Sequence, residues 1–283
     1  MSLGAPALLR TRTDVRLLLH DTLAMAPFVH PLTAGWVAPV IPSEARSELR
    51  AVDVGPEDIA LVPAPEIAAL LATHTLGREA AVVAGSVGSI AMRVPVRPDE
   101  VERTPIRLWR TSGAAEVLAR ATLKPFYGIV PLAWTSDDTA EAQVVVVEGA
   151  EALQPPEAGF AEDLCRAWFV LTGEPAITHV LAVPRALDRA ALGPGLETLV
   201  ALRDAGHERR RDLRRDLSDA HGLDRDRLTE FFAEQRLALE PADQRALLLL
   251  LQRGTWGSAY PPIRDAASLT RPTESLPPPE PSA

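Results

Sequence analysis

Apolar residues along the chain fall into short unbroken runs separated by amphipathic stretches, the pattern of buried strands alternating with helices. Val15-Arg16-Leu17-Leu18-Leu19 predicts a first strand, and Ala26 to Leu32, interrupted by Pro27 and Pro31, predicts a loop leading into a short helix. Asp58 to Val62 predicts a second strand. After it, Pro63-Ala64-Pro65-Glu66 sets proline at the first turn of a helix running through Leu71. A third strand is expected at Ala80 to Ala84. Gly85-Ser86-Val87-Gly88-Ser89 then leads into Ile90-Ala91-Met92-Arg93-Val94, an apolar run long enough to cross from one lobe to another and so a candidate hinge.

The pattern restarts between Pro95 and Glu174. A strand is expected at Ile106 to Trp109, a helix from about Ala114 to Leu123, and a β-branched strand at Val144-Val145-Val146-Val147. Ala176 to Val183 provides a return strand, and Val87 to Val94 and Ala176 to Ala182 are expected side by side as the two crossings. From Gly195 to Arg253, residues such as Leu196, Leu199, Leu202, Leu228, Phe231 and Phe232 recur at helical spacing. The expected division is residues 13–92 plus 177–260 as a first lobe, 93–176 as a second, and 261–283 as a flexible Pro-rich tail. The reading is an α/β protein of two lobes with a ligand cleft between them and a helical C-terminal region.

Charge narrows the partners. A net charge of −9 excludes a non-specific nucleic-acid or membrane surface, both of which need a positive field. The cations are arginines except for Lys124, so an anionic ligand has to be held locally. Cys165 is the single cysteine and cannot close an intramolecular disulfide; it lies in an amphipathic stretch and reads as a buried apolar residue. The longest apolar run, Ala246 to Leu251, is too short to span a membrane, and Met1 to Thr13 lacks the apolar core of a secretion signal, so a cytoplasmic protein is expected. Monomer and homodimer remain equally open.

The candidate chemistry lies in the loops. Arg110-Thr111-Ser112-Gly113 joins an apolar strand to a helix. Unpaired N–H groups and a partial positive charge at a helix start suit a carboxylate, with Thr111, Ser112 and Gly113 as its contacts; the same hydroxyls also suit simple helix capping. Ser86 and Ser89 flank small residues at the lobe junction, where a ligand can approach the backbone or the glycines can serve a plain turn. Asp21 and Thr22 follow the first strand, next to His20, whose position permits an acid–base role or a local hydrogen bond. The six histidines show no metal-ligand spacing, no phosphate loop or GxGxxG run is present, and no GxSxG surrounds a serine. No cofactor or metal is expected, and no catalytic residue is assigned.

Four segments in order resemble the menaquinone-biosynthesis family that contains chorismate dehydratase, over roughly residues 13 to 253. Pro27-Phe28-Val29-His30-Pro31-Leu32 is similar to its opening loop, and Asp58-Ile59-Ala60-Leu61-Val62-Pro63-Ala64-Pro65-Glu66 to its "DIALIPSxE" segment. Gly85 to Ser89 resembles its "GPVxS" turn, and Trp168 through Leu171-Thr172-Gly173-Glu174-Pro175 its "W-x-x-x-T-G-x-P-F" segment. The resemblance implies a type II periplasmic-binding-protein-like fold. It also implies a lyase of the futalosine route that eliminates water from chorismate to give 3-[(1-carboxyvinyl)oxy]benzoate, the substrate's own carboxylate helping to remove the ring proton. Ser89 and Ser112 match family positions. The family's opening asparagine is Ala24 here, its "SRTS" run is Ser112-Gly113-Ala114-Ala115, and the serine of "IPS" is Ala64. Each lost polar contact to a charged ligand is worth about 1–3 kcal/mol. Either Asp21 or Thr22 substitutes, or the chain is a non-catalytic binding protein of the same fold for a small aromatic carboxylate.

Overall fold

The computed structural model describes residues 15–263 and residue 269. The chain opens with β1 (Leu17–His20), whose leucines are fully buried, each removal from water contributing roughly 1.5–3 kcal/mol. A 3-10 turn over Leu23–Met25 runs straight into α1 (Ala26–Thr33). The expected loop is therefore itself helix. Pro27 sits in the first turn, where its missing N–H has no intrahelical partner to lose, and Pro31 falls near the end. An unexpected edge strand β2 (Ser43–Arg46) follows, then β3 (Ile59–Pro63), a 3-10 turn over Ala64–Glu66, and α2 (Ile67–Leu70). β4 (His74–Ala84) is longer than its apolar half suggested.

The second lobe begins with β5 (Ile90–Val94), β6 (Arg103–Trp109), α3 (Gly113–Tyr127), β7 (Val130–Thr135) and β8 (Val144–Glu148). It continues through α4 (Ala150–Leu153), β9 (Phe160–Asp163) and α5 (Leu164–Thr172). β10 (Ala176–Pro184), buried at every position, returns to the first lobe. The chain then runs through α6 (Arg189–Glu208), α7 (Arg210–His221), α8 (Arg225–Ala233), the short β11 (Gln235–Arg236) and α9 (Asp243–Gly254).

The strands form two sheets, ordered β11-β4-β10-β3-β1-β2 and β7-β6-β8-β5-β9. In the first, β1 is parallel to β2 and β3 while β10 is antiparallel to β3 and β4. In the second, β6 is parallel to β7 and β8, and β5 is antiparallel to β8 and β9. The crossings are shorter than the sequence suggested. β5 pairs wholly within the second sheet and β10 within the first, so the runs expected to lie side by side do not pair. What cross are the links 85–89 and 173–175, one leaving the first sheet and the other entering it side by side, because Ala84 pairs with Ala176. Two apolar layers enclose the first sheet: one, with Leu18, Ala60 and Val180, is continuous with the second lobe through α3, α5 and α9, and the other, with Leu17, Leu61 and Leu181, lies under α1, α6, α7 and α8.

Of the C-terminal stretch expected as a tail, Pro261 to Ile263 and Leu269 are described; Ile263 and Leu269 are buried, and Thr75 donates its hydroxyl to the Leu269 carbonyl. The remainder lies outside the described residues, as do 13 and 14. Cys165 is buried and free. Among the described residues no helix is long and apolar enough to cross a membrane.

Candidate functional site

β1 and β3 run parallel and end at the same edge of the first sheet, where β10, antiparallel to β3, begins. That edge is where open α/β sheets place ligands. Two imidazoles meet there across β3: His20 Nδ1 lies 2.9 Å from His179 Nε2, and both rings are buried. His20 also bonds the Ser47 carbonyl, which requires a donor; since Nδ1 faces His179, the donor is Nε2–H. His20 Nδ1 therefore accepts from His179 Nε2–H, and His179 Nδ1 accepts from the Thr178 hydroxyl 3.1 Å away. Burial holds His20 down to about 4 and His179 well below the usual imidazole range. The pair is a neutral hydrogen-bonded chain.

The facing edge of the second sheet carries a carboxyl group. Glu148 ends β8 and is buried; Ser112 donates its backbone N–H (2.6 Å) and its hydroxyl (3.0 Å) to the two carboxyl oxygens. Burial pushes the Glu148 carboxyl up, the two bonds from Ser112 pulling the other way. Arg110, with φ 50°, makes the left-handed turn that swings the chain from β6 into α3 and brings Ser112 to this position. The lobes touch here: Leu23 lies against Gly149, Leu153 packs into the core beneath α1, and Gln154 donates to the His221 carbonyl at 3.1 Å.

The sequence-derived residues separate into groups. Ser112 occupies the start of α3, and the carboxylate it holds is the protein's own; its hydroxyl makes no helix-capping bond. Gly113 leaves room for the Tyr260 side chain: a Cβ there would lie 1.9 Å from the Tyr260 hydroxyl, which would have to move. Tyr260 donates that hydroxyl to Glu66, and its burial raises it above the usual phenol range. Thr111 is half-buried beside them. Ser89 is buried and accepts the Gly149 N–H on its carbonyl, which ties the first crossing to the turn after Glu148. Ser86 lies apart, its N–H and hydroxyl both donated to Glu234. Gly85 packs against Glu234 and Gly88 against Cys165, so the close approaches they permit are to protein atoms. Asp21 is exposed, whereas the Thr22 hydroxyl is buried without a hydrogen-bond partner.

Glu148, His179 and Tyr260 were not singled out from sequence as site residues. For Glu148 a signal existed: a lone carboxylate directly after four valines of a buried strand. Among the described residues no group of three or more His, Cys, Asp or Glu is placed to hold a metal ion.

Two sheets joined by two short crossings, each carrying polar groups at the facing edge, define a two-lobed periplasmic-binding-protein-like architecture. Solved structures bear this out at low identity. Protein AF1704 from Archaeoglobus fulgidus superposes with a TM-score of 0.63 at 14% identity, over 88% of this chain and 98% of that one. The ligand-binding component of an ABC-type import system from Staphylococcus aureus gives 0.57 at 12%, over 91% and 96%. The periplasmic aliphatic sulphonate binding protein SsuA from Escherichia coli gives 0.52 at 11%, over 83% and 89%. No curated protein matches the chain in sequence. The chain belongs to the menaquinone biosynthesis family, whose model matches residues 25–255.

Proposed function

We propose that the chain is a chorismate dehydratase, a lyase that removes water from chorismate to leave 3-[(1-carboxyvinyl)oxy]benzoate. The observation that carries the reading is Glu148: a buried carboxyl group with a raised protonation range, held at a helix start between the lobes. Eliminating a hydroxyl needs a proton on the leaving oxygen, and a carboxyl whose burial favours its protonated form is suited to supply it. In this reading the substrate's own carboxylate takes the ring proton, the carbon–oxygen bond to the hydroxyl breaks as the ring becomes aromatic, and Glu148 protonates the departing oxygen to give water. The proton left on the product carboxylate balances the one Glu148 lost. Ser112 then steadies the Glu148 anion, and Ser89, Thr111, Gly113 and the unpartnered Thr22 hydroxyl are the proposed substrate contacts, with Asp21 and Ser86 at the margins.

The second reading is a non-catalytic binding protein for a small aromatic carboxylate. The engagement of Ser112 by Glu148 favours it, together with Ala24, Ala64 and Gly113 where the family pattern has polar side chains. Incubating the purified protein with chorismate and following 3-[(1-carboxyvinyl)oxy]benzoate by chromatography separates the two. Turnover that drops in Glu148→Gln supports the lyase; a folded sample that binds chorismate and forms no product rejects it.

A further inference from the structure

Away from the facing edges, a cavity of about 400 Å³ opens among α6, α7, α8 and β11, a size that suits a small organic ligand. Its walls are apolar, with Leu213, Phe232 and Leu237, and its polar lining includes His207, Arg210 and Arg214. Among the described residues no acidic side chain lines it, in a chain of net charge −9. The acids of α7 are engaged elsewhere: Asp212 pairs with Arg209 and Arg215, Asp216 with Arg215 and His30, and Asp219 with Arg225. Arg210 and Arg214, one helical turn apart, form no ion pair among the described residues, Arg210 donating only to the His207 carbonyl at 3.4 Å. Gln235, at the start of β11, also lines the cavity and ties it to the first sheet.

We propose that this cavity is a second binding site, for a carboxylate that carries an aliphatic body, with Arg210 and Arg214 holding the head group and Leu213, Phe232 and Leu237 covering the chain. Guanidinium groups match a carboxylate in geometry as well as charge. The site abuts the first crossing. Gln235 pairs with Ala84, and the preceding Glu234 accepts the Gly85 N–H on its carbonyl and Ser86 on its carboxylate.

The test uses octanoate and, as its uncharged counterpart, 1-octanol, titrated calorimetrically into the full chain, so it is independent of chorismate turnover. Octanoate should bind at one site and 1-octanol at least about tenfold more weakly, the value of one charge-assisted contact. The R210Q/R214Q double variant should lose octanoate affinity by about tenfold or more with an unchanged melting temperature, and Thr229→Trp, which fills the cavity from α8, should abolish binding. Equal binding of the two probes, or octanoate binding that survives either variant, overturns the site.

Discussion

Acidification from pH 7 to pH 5 should destabilise the fold through the His20–His179 pair. Both rings are buried and neutral, and each lone pair of the chain accepts a hydrogen bond, so a proton added to His20 removes the acceptor that His179 needs. His20 titrates at about 4 in the fold against 6.5 for the free side chain. Because the folded value is depressed, the unfolded chain binds the proton first. The stability is complete above 6.5 and is lost progressively as pH falls toward 4. Linkage gives a loss of about 2 kcal/mol at pH 5 and a limit of about 3 kcal/mol below pH 4, a large share of a typical 5–15 kcal/mol. Urea unfolding at the two pH values, compared between the wild type and His20→Gln/His179→Gln, isolates the effect, since other acid-sensitive groups such as His74 are present in both. The double variant should lose at least about 2 kcal/mol less than the wild type over that interval, His179 adding to the share worked for His20. An equal loss in both, or an imidazole resonance of His20 in the wild type that titrates near 6.5 by NMR, would refute the neutral chain.

Three further outcomes follow from contacts of the same kind. Because burial raises the Glu148 carboxyl and the protonated form is the proposed donor, turnover should fall as pH rises through the raised value; Ser112→Ala, which removes a bond that favours the anion, should move that limit upward in a pH–rate profile. Gly113→Ala puts a Cβ 1.9 Å from the Tyr260 hydroxyl and should cost about 1–3 kcal/mol in urea unfolding, recovered in large part by Tyr260→Ala in the same chain. Asp243→Ala should cost about 2–3 kcal/mol, since buried Asp243 accepts two bonds from Arg236 and one from the Glu240 N–H; an unchanged unfolding midpoint would count against that pair.

The central strands were legible because burial on both faces writes them as unbroken apolar runs: Leu17 to Leu19, Ile59 to Val62, Val144 to Val147 and Ala176 to Val183 all lie in strands. Edge strands carry no such run. β2 reads Ser43-Glu44-Ala45-Arg46 and β9 reads Phe160-Ala161-Glu162-Asp163, and neither was expected. β7 contains Pro131, which an edge strand tolerates and which disguises it. α1 was hidden by two prolines whose positions within the helix, not their presence, decide the outcome. For the site, Ser112 and Ser89 stood out as hydroxyls in strand-to-helix and inter-lobe loops. His20 and His179 lie 159 residues apart, and no spacing rule joins them before the order β10-β3-β1 is known.

The three departures from the family pattern sit beside what the fold supplies in their place. Gly113 leaves room for the Tyr260 hydroxyl, which meets Glu66 next to Ala64 and Pro65, so a C-terminal residue provides a polar group where the family pattern carries arginine and serine. Ala24 lies in the buried 3-10 turn after His20 and Thr22, and those two residues retain polar capacity at the opening loop. The substitution is not like for like. A fixed cation is exchanged for an imidazole pair and a phenol that are neutral near pH 7, and for a carboxyl whose burial favours its protonated form. Such a set attracts a dianion weakly through long-range charge, leaving helix-start N–H groups and hydrogen bonds to position it, and its strength lies in moving or sharing protons. Under the proposed function, that exchange moves the work of holding a carboxylate from a fixed charge to helix-start N–H groups and hydrogen bonds, which is the difference the chorismate turnover assay reads.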